Sequence, residues 1–312
     1  MEKTKERVVV ILGPTATGKS HCAIEIAKRM QGEIISGDSM LVYKGMDIGT
    51  AKPTAEELQA APHHLVDILP PDASFSVVDF VERAKALITE INGRGHLPII
   101  AGGTGLYIKA LLEDYAFNSV GGDEGLRRQL EQEALDRGNE ALHARLAQLD
   151  PAAAERIHPN NVRRVVRALE AAMSGAQVNQ HGAEESPYDA VVFGLAMERG
   201  ALYNRINRRV DVMLEAGLEQ EVRRLLDAGV RPECQSMQSI GYRQLVWHIR
   251  DGMPYEEAVD KLKQATRNFA KRQVTWYKKM PYIKWIELKA EPDYEAAVAI
   301  MLETLVKKYK TL

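Results

Sequence analysis

Apolar and polar positions along this chain switch between two periods, and the switches outline an α/β protein. Val8 to Leu12 is an unbroken apolar run, the pattern of a strand buried on both faces of a parallel sheet. From His21 to Met30 the period changes, and Ala23, Ile26, Ala27 and Met30 fall on one helical face. Glu33 to Ser39 reads as a second strand ending in an acid, Val77 to Asn92 as a helix stopped near Gly93, and Leu97 to Ala101 as another buried strand. From Asp123 to Met173 the chain is rich in Ala, Leu, Glu and Arg, has no strand-like run, and is cut into short helices by Pro151 and Pro159. Strand character returns over Asp189 to Leu195. Arg199 to Gly229 is helical, and Tyr294 to Tyr309 reads as a packing helix. Polar breaks at 118–122 and 174–187 bound the helical part. The pattern predicts an α/β core with a parallel sheet, residues 1–117 and 188–312, interrupted by an all-helical insertion, 118–187.

Composition narrows the class. A chain of 312 residues buries a large core, and no apolar run approaches the 18 residues of a membrane span. The polar start, Met1 to Arg7, runs straight into the first strand, so no secretory leader is expected. Cys22 and Cys234 are far apart and suggest neither a disulfide framework nor a metal site, which suits a reducing cytoplasm. His63 and His64 are adjacent, so one helical face cannot present both to a metal; they read as structural or as loop surface. The formal net charge of −2 argues against a nucleic-acid partner only if the cations are spread evenly, and they are not.

The first strand runs into Gly13-Pro14-Thr15-Ala16-Thr17-Gly18-Lys19-Ser20, and a helix follows at once. Strand, glycine-rich turn and helix is the context in which a P-loop binds phosphate, so the core is expected to be P-loop NTPase-like. Gly13 and Gly18 let successive N–H groups face inward, and the positive end of the helix adds to the cradle. Lys19 is placed to reach a terminal phosphate and Ser20 to ligate Mg²⁺. Asp38 follows the second strand, where groups of an open α/β sheet face the ligand crevice. The third strand ends in Gly102-Gly103-Thr104-Gly105 instead of the acid that organises metal and water in a P-loop ATPase. That turn offers N–H groups and one hydroxyl, which favours transfer to an acceptor over hydrolysis.

The cations cluster in three places. Arg163, Arg164 and Arg167 crowd one helix of the insertion. Arg205 and Arg209 stack at i,i+4, a spacing suited to clamping a diphosphate. Lys261 to Lys284 holds eight Lys or Arg and no acid, with Phe269, Trp276, Tyr277 and Tyr282 interleaved. Cations for phosphates and rings for bases suit a nucleic-acid surface, although aromatics at helical spacing also build cores.

Taken together the motifs resemble the bacterial tRNA dimethylallyltransferase family, also called tRNA isopentenyltransferase. The matching stretches are the P-loop, Ile35 to Pro53 with Asp38-Ser39 and Tyr43 to Pro53, Pro62 to Ile68, Pro98 to Leu112 around Gly102 to Tyr107, His158 to Asn161 with Arg167 to Glu170, Leu202 to Ile206 with Arg209, Ser239 to Arg243, Ala265 to Arg267, and Ala270 to Trp276. The resemblance implies transfer of a dimethylallyl group from dimethylallyl diphosphate to N6 of the adenosine just 3′ of a tRNA anticodon, with Mg²⁺, in a cytoplasmic and monomeric protein. By matching positions, Asp38 accepts the N6 proton or orients that amine, while Lys19, Ser20 and Arg209 stabilise the departing diphosphate. Thr104 sits against donor or flipped adenine. Asp38, Ser39, Met40, Leu41, Thr104, Arg127, Arg163, Arg164, Arg167, Gly241, Tyr242 and Arg243 fall along the tRNA anticodon stem-loop. The chain departs from the family pattern at Leu41, where glutamine is common, and at Asn161, where aspartate is common. A small-molecule kinase, a prenyltransferase acting on free adenine nucleotides and a non-catalytic RNA-binding module are the competing readings.

Overall fold

The computed structural model describes residues 5–115, 123–174 and 185–309. They fall into two compact units, 1–113 with 185–312, and 114–184. The expected break at 118–122, and all of 174–187 but Ser174 and 185–187, lie outside the described residues.

The larger unit opens with β1 (Arg7–Leu12), α1 (Lys19–Arg29), β2 (Gly32–Ser36), α2 (Ala55–Ala60), β3 (His63–His64), α3 (Val77–Gly93), β4 (Leu97–Gly102) and α4 (Gly105–Leu112). The smaller unit contributes α5 (Glu124–Arg137), α6 (Asn139–Leu149), α7 (Pro151–Arg156) and α8 (Val162–Met173). The larger unit resumes with β5 (Asp189–Met197), α9 (Arg199–Glu215), α10 (Leu218–Asp227), α11 (Tyr242–Asp251), α12 (Tyr255–Tyr277), β6 (Lys284–Leu288) and α13 (Tyr294–Tyr309).

The six strands form one sheet in the order β3-β2-β4-β1-β5-β6, every pair parallel. Parallel strands need helical crossovers, and helices on both faces leave no strand face for water. That is why Val8 to Leu12 is apolar at every position, each residue 0 % exposed. β1 is central, with Val9 in register with Ile99 on one side and Val191 on the other. One face is packed by Ile26 and Ala27 of α1 together with Val298, Met301 and Leu305 of α13. The smaller unit has its own core, built from Leu130, Leu142, Leu146, Val165 and Leu169. Among the described residues no helix is long and apolar enough to cross a membrane.

Two local readings change. The second strand ends at Ser36, so Asp38 sits in the turn beyond it, where Gly37 N–H still bonds Ala101. The adjacent histidines form the short edge strand β3, and His64 has a structural partner. Its Nε2–H donates to Glu33 at 2.7 Å, His96 Nδ1–H does the same at 2.7 Å, and Arg94 adds two hydrogen bonds. Burial raises the Glu33 pKa, but these donors outweigh it and hold the carboxyl down at about 2.

A carboxyl whose folded pKa is depressed stabilises the fold above its unfolded value, and that contribution disappears as pH falls through the folded value. Thermal unfolding should therefore move to lower temperature as pH drops from about 4.5 towards 2. Glu33→Gln should lower the neutral-pH midpoint and flatten that acid limb. An unchanged acid limb in the variant would remove Glu33 as its cause.

Candidate active site

The loop between β1 and α1 is held from inside and from above. Thr17 Oγ1 donates to Pro14 O at 2.8 Å, and Lys19 Nζ donates to the same carbonyl at 2.9 Å. A Cβ at Gly13 would lie 2.8 Å from Leu195 O, so only glycine lets the loop lie this close to β5. Arg205 Nε donates to Ala16 O at 3.0 Å, and its guanidinium also reaches Tyr294 Oη at 2.8 Å. The expected clamp of Arg205 with Arg209 is therefore corrected: Arg205 is spent on the loop backbone, and Arg209 alone reaches the pocket.

Two buried side chains of α12 join this loop to the glycine-rich turn after β4. Gln273 Oε1 accepts from Thr15 N–H at 3.0 Å while its Nε2 donates to Gly103 O at 2.9 Å. One turn later the Tyr277 hydroxyl lies 3.1 Å from Gly13 O and 2.9 Å from Gly103 O. At Gly102 an added Cβ would collide with the backbone of Gly37, so the turns after β2 and β4 also touch. The residues expected to do chemistry thus hang on three turns locked together.

Those turns open on a cavity of about 390 Å³. Asp38, Ser39, Met40, Thr104, Arg209, Gly241, Arg243 and the P-loop residue Thr15 line it, whereas Lys19, Ser20 and the rest of the P-loop are not among its lining residues. Asp38 accepts a hydrogen bond from Met40 N–H at 2.8 Å, which orients the carboxyl. Thr104 is the N-cap of α4, yet its hydroxyl makes no cap bond. An apolar wall of Ile206, Val210, Met213 and Phe269 faces these polar groups. Burial first and the Arg209 charge second pull the Lys19 pKa down to about 8, against the opposing pull of Asp38. Burial lowers the Arg209 pKa as well, against the pull of Asp38. Two desolvated cations facing one acid make a site short of negative charge, which suits an anion.

Ser20, the expected magnesium ligand, stands exposed at the start of α1. Among the described residues no three His, Cys, Asp or Glu side chains form a metal cage. A single hydroxyl beside a phosphate cradle fits Mg²⁺, which prefers phosphate oxygens and water to an all-protein cage.

Other expected residues lie elsewhere. Leu41 does not line the cavity; its carbonyl accepts from Asp67 N–H at 3.0 Å. Tyr242 is a correction: its side chain is fully buried, with its hydroxyl 2.6 Å from Glu221, so it cannot face an RNA surface. Glu221 also accepts from the N–H groups of Asp47, Ile48 and Gly49, fixing the loop that brings Gly49 and Thr50 to the cavity. In the smaller unit, Arg163 and Arg164 are exposed and form no ion pair among the described residues. Arg127 donates to Glu170 at 2.9 Å, and Arg167 approaches the same carboxylate at 3.5 Å. The basic segment 261–284 is less unpartnered than its sequence implies, because other segments supply acids. Lys263 pairs with Asp211 of α9 at 2.6 Å and Lys261 with Glu257 at 3.3 Å. Tyr277 is core, whereas Trp276 and Tyr282 remain partly exposed.

Comparison with known proteins follows the same lines. The family model described as IPP transferase matches residues 41–280. A tRNA dimethylallyltransferase of Halalkalibacterium halodurans is 49% identical over 299 residues, 94% of this chain and 95% of that protein. The tRNA dimethylallyltransferase of Bacillus subtilis is 48% identical over 299 residues, 95% of each. Among solved structures, the full-length tRNA isopentenylpyrophosphate transferase from Bacillus halodurans superposes with a TM-score of 0.75 at 46% identity, covering 98% of this chain and 97% of that one. A eukaryotic dimethylallyltransferase acting on tRNA gives 0.78 at 25% identity, covering 97% of this chain and 80% of that one.

An anion in the cradle raises the Lys19 pKa from its lowered value, so binding takes up a proton once the empty site has lost one. Affinity for inorganic pyrophosphate, read by calorimetry, should carry a Lys19 component that is flat below about pH 8 and weakens above it by up to about tenfold per pH unit. Lys19→Arg keeps its charge and should remove this component, leaving only the ligand's own titration. Identical pH profiles for the two proteins would place Lys19 outside the anion site.

Proposed function

The chain belongs to the IPP transferase family, and from that membership we infer that it transfers a dimethylallyl group from dimethylallyl diphosphate to N6 of the adenosine 3′-adjacent to the anticodon of tRNA, releasing diphosphate. The observation that carries this reading is the cavity itself. An apolar wall suited to a short branched hydrocarbon shares this cavity with the P-loop residue Thr15, the Arg209 cation, Asp38 and Thr104.

The chemistry follows from where charge moves. The carbon–oxygen bond of the donor breaks and its electron pair leaves with the diphosphate. The N6 lone pair forms the new carbon–nitrogen bond, and the amine proton goes to the Asp38 carboxylate. Lys19, Arg209 and the loop N–H groups stabilise the growing charge on the leaving group. Ser20 would hold Mg²⁺, which would supply further charge neutralisation to the leaving group. The site is built for positioning, because the acceptor amine must lie in line with the breaking bond. An adenine stacked in RNA cannot reach a cavity between turns, so the acceptor base is extruded into it. Arg127, Arg163, Arg164 and Arg167 of the helical insertion serve as phosphate contacts for the anticodon stem-loop. The protein works as a monomer in the cytoplasm.

Incubation with labelled dimethylallyl diphosphate, Mg²⁺ and bulk tRNA, followed by nucleoside analysis, should yield labelled N6-dimethylallyladenosine. Label found only in free nucleotides, or ATP consumption without RNA, would replace this reading with one of its competitors.

Asp38→Ala should lower kcat on the order of 10²- to 10⁴-fold, the usual contribution of a positioned proton acceptor, with donor affinity unchanged. Near-normal turnover would remove Asp38 from the chemistry. Binding of tRNA should weaken steeply with salt despite the acidic net charge. Neutralising Arg163 and Arg164 together should flatten the log–log slope by roughly 0.7 to 0.9 per lost phosphate contact. A double variant with the original affinity and slope would leave that helix face merely solvated.

A further inference from the structure

Beside the active cavity lies a second cleft of about 640 Å³, formed by α11, α12 and the Gly252-Met253 turn between them. The transfer reaction makes no use of it. One residue belongs to both spaces: Arg243 lines this cleft and the active cavity. Its guanidinium lies over the Trp247 ring, 5.4 Å from the centroid. Its Nε is buried with no hydrogen-bond partner. A buried donor left unmade is costly, and such a group marks a place that a ligand or water completes.

The opposite wall carries Gln264 and Asn268, spaced i,i+4 so that both amides share one face of α12. Both are exposed, and neither side chain has a hydrogen-bond partner among the described residues. The charges cancel, with Arg243 and Lys261 set against Asp251 and Glu257. Lys261 already faces Glu257 at 3.3 Å. A phosphate entering here would meet two carboxylates. A flat, uncharged group with donors and acceptors along its edge meets an aromatic ring, a guanidinium plane and two amides.

That is the chemistry of a nucleobase. Resting on the reading of the chain as a tRNA prenyltransferase, we propose that the α11–α12 cleft receives an unpaired base of the acceptor RNA, from a nucleotide flanking the target adenosine. Trp247 with Arg243 forms the stacking side, and Gln264 with Asn268 reads the edge. Because Arg243 borders both spaces, the neighbouring base is held where the reacting base enters its cavity.

The full chain is assayed on anticodon-type RNA hairpins, intact or with one abasic nucleotide at each position flanking the target adenosine. For the unaltered protein, removing the base at one flanking position should lower kcat/KM about tenfold, the scale of one lost stacked base. In Gln264→Ala/Asn268→Ala the intact hairpin should already show most of that loss, removal of the same base should cost little more, and the donor KM should be unchanged. Equal losses for both proteins at every flanking position would overturn the assignment of the cleft. No transfer by the unaltered protein to any intact hairpin would instead overturn the activity, and this proposal with it.

Discussion

The structure of the site depends on one contact set: the buried amide of Gln273 and the hydroxyl of Tyr277, which join the P-loop to the turn after β4. Gly103 O takes both groups, at 2.9 Å each, while Thr15 N–H and Gly13 O complete the link on the P-loop side. Gly13 and Gly102 add no side chain to the link, because close approach to Leu195 and to Gly37 leaves no room for a Cβ. A helix far along the chain therefore sets the distance between the phosphate cradle and the wall that carries Thr104. Group transfer with little acid–base chemistry needs that distance fixed more than it needs a strong base.

Charge follows the same geometry. Drawing the loop, Arg209 and Asp38 around one cavity desolvates two cations that repel each other, and Lys19 responds with a pKa of about 8. A diphosphate on these cations would relieve the unfavourable charge, so part of the binding of such an anion would be prepared by folding. Arg205 contributes at one remove, by bonding Ala16 O and Tyr294 and so holding the cradle in shape. The apolar wall from α9 and α12 then gives the hydrocarbon part of a donor somewhere to go.

Local features of the site were legible in the sequence because local rules govern them. The P-loop, Asp38 after β2 and Thr104 after β4 are each announced by an apolar run followed by glycines, and the parallel sheet follows from the same runs. What escaped notice depends on residues distant in sequence. Gln273 bonds a residue 258 positions away, and Glu221 reaches the Asp47–Gly49 loop from α10. A lone glutamine in a basic helix carries no signal of that kind. The same blindness inflated the basic segment: Asp211, the partner of Lys263, lies on another helix, so counting acids within the segment misses it. Tyr242 was misplaced for a related reason, since a motif position does not say which way a side chain points, and this one points into the core.

The central claim is that one cavity holds the diphosphate on the P-loop and the acceptor adenine against Asp38. The most direct measurement is a crystal structure of the protein with a non-cleavable phosphonate analogue of the donor and an anticodon-type hairpin. The account predicts the diphosphate mimic on the loop N–H groups and Lys19, the hydrocarbon against Ile206, Val210 and Phe269, and the extruded adenine amine within hydrogen-bond distance of Asp38. A donor bound away from residues 13–20, or an adenine left stacked in the hairpin loop with the cavity filled, would contradict it.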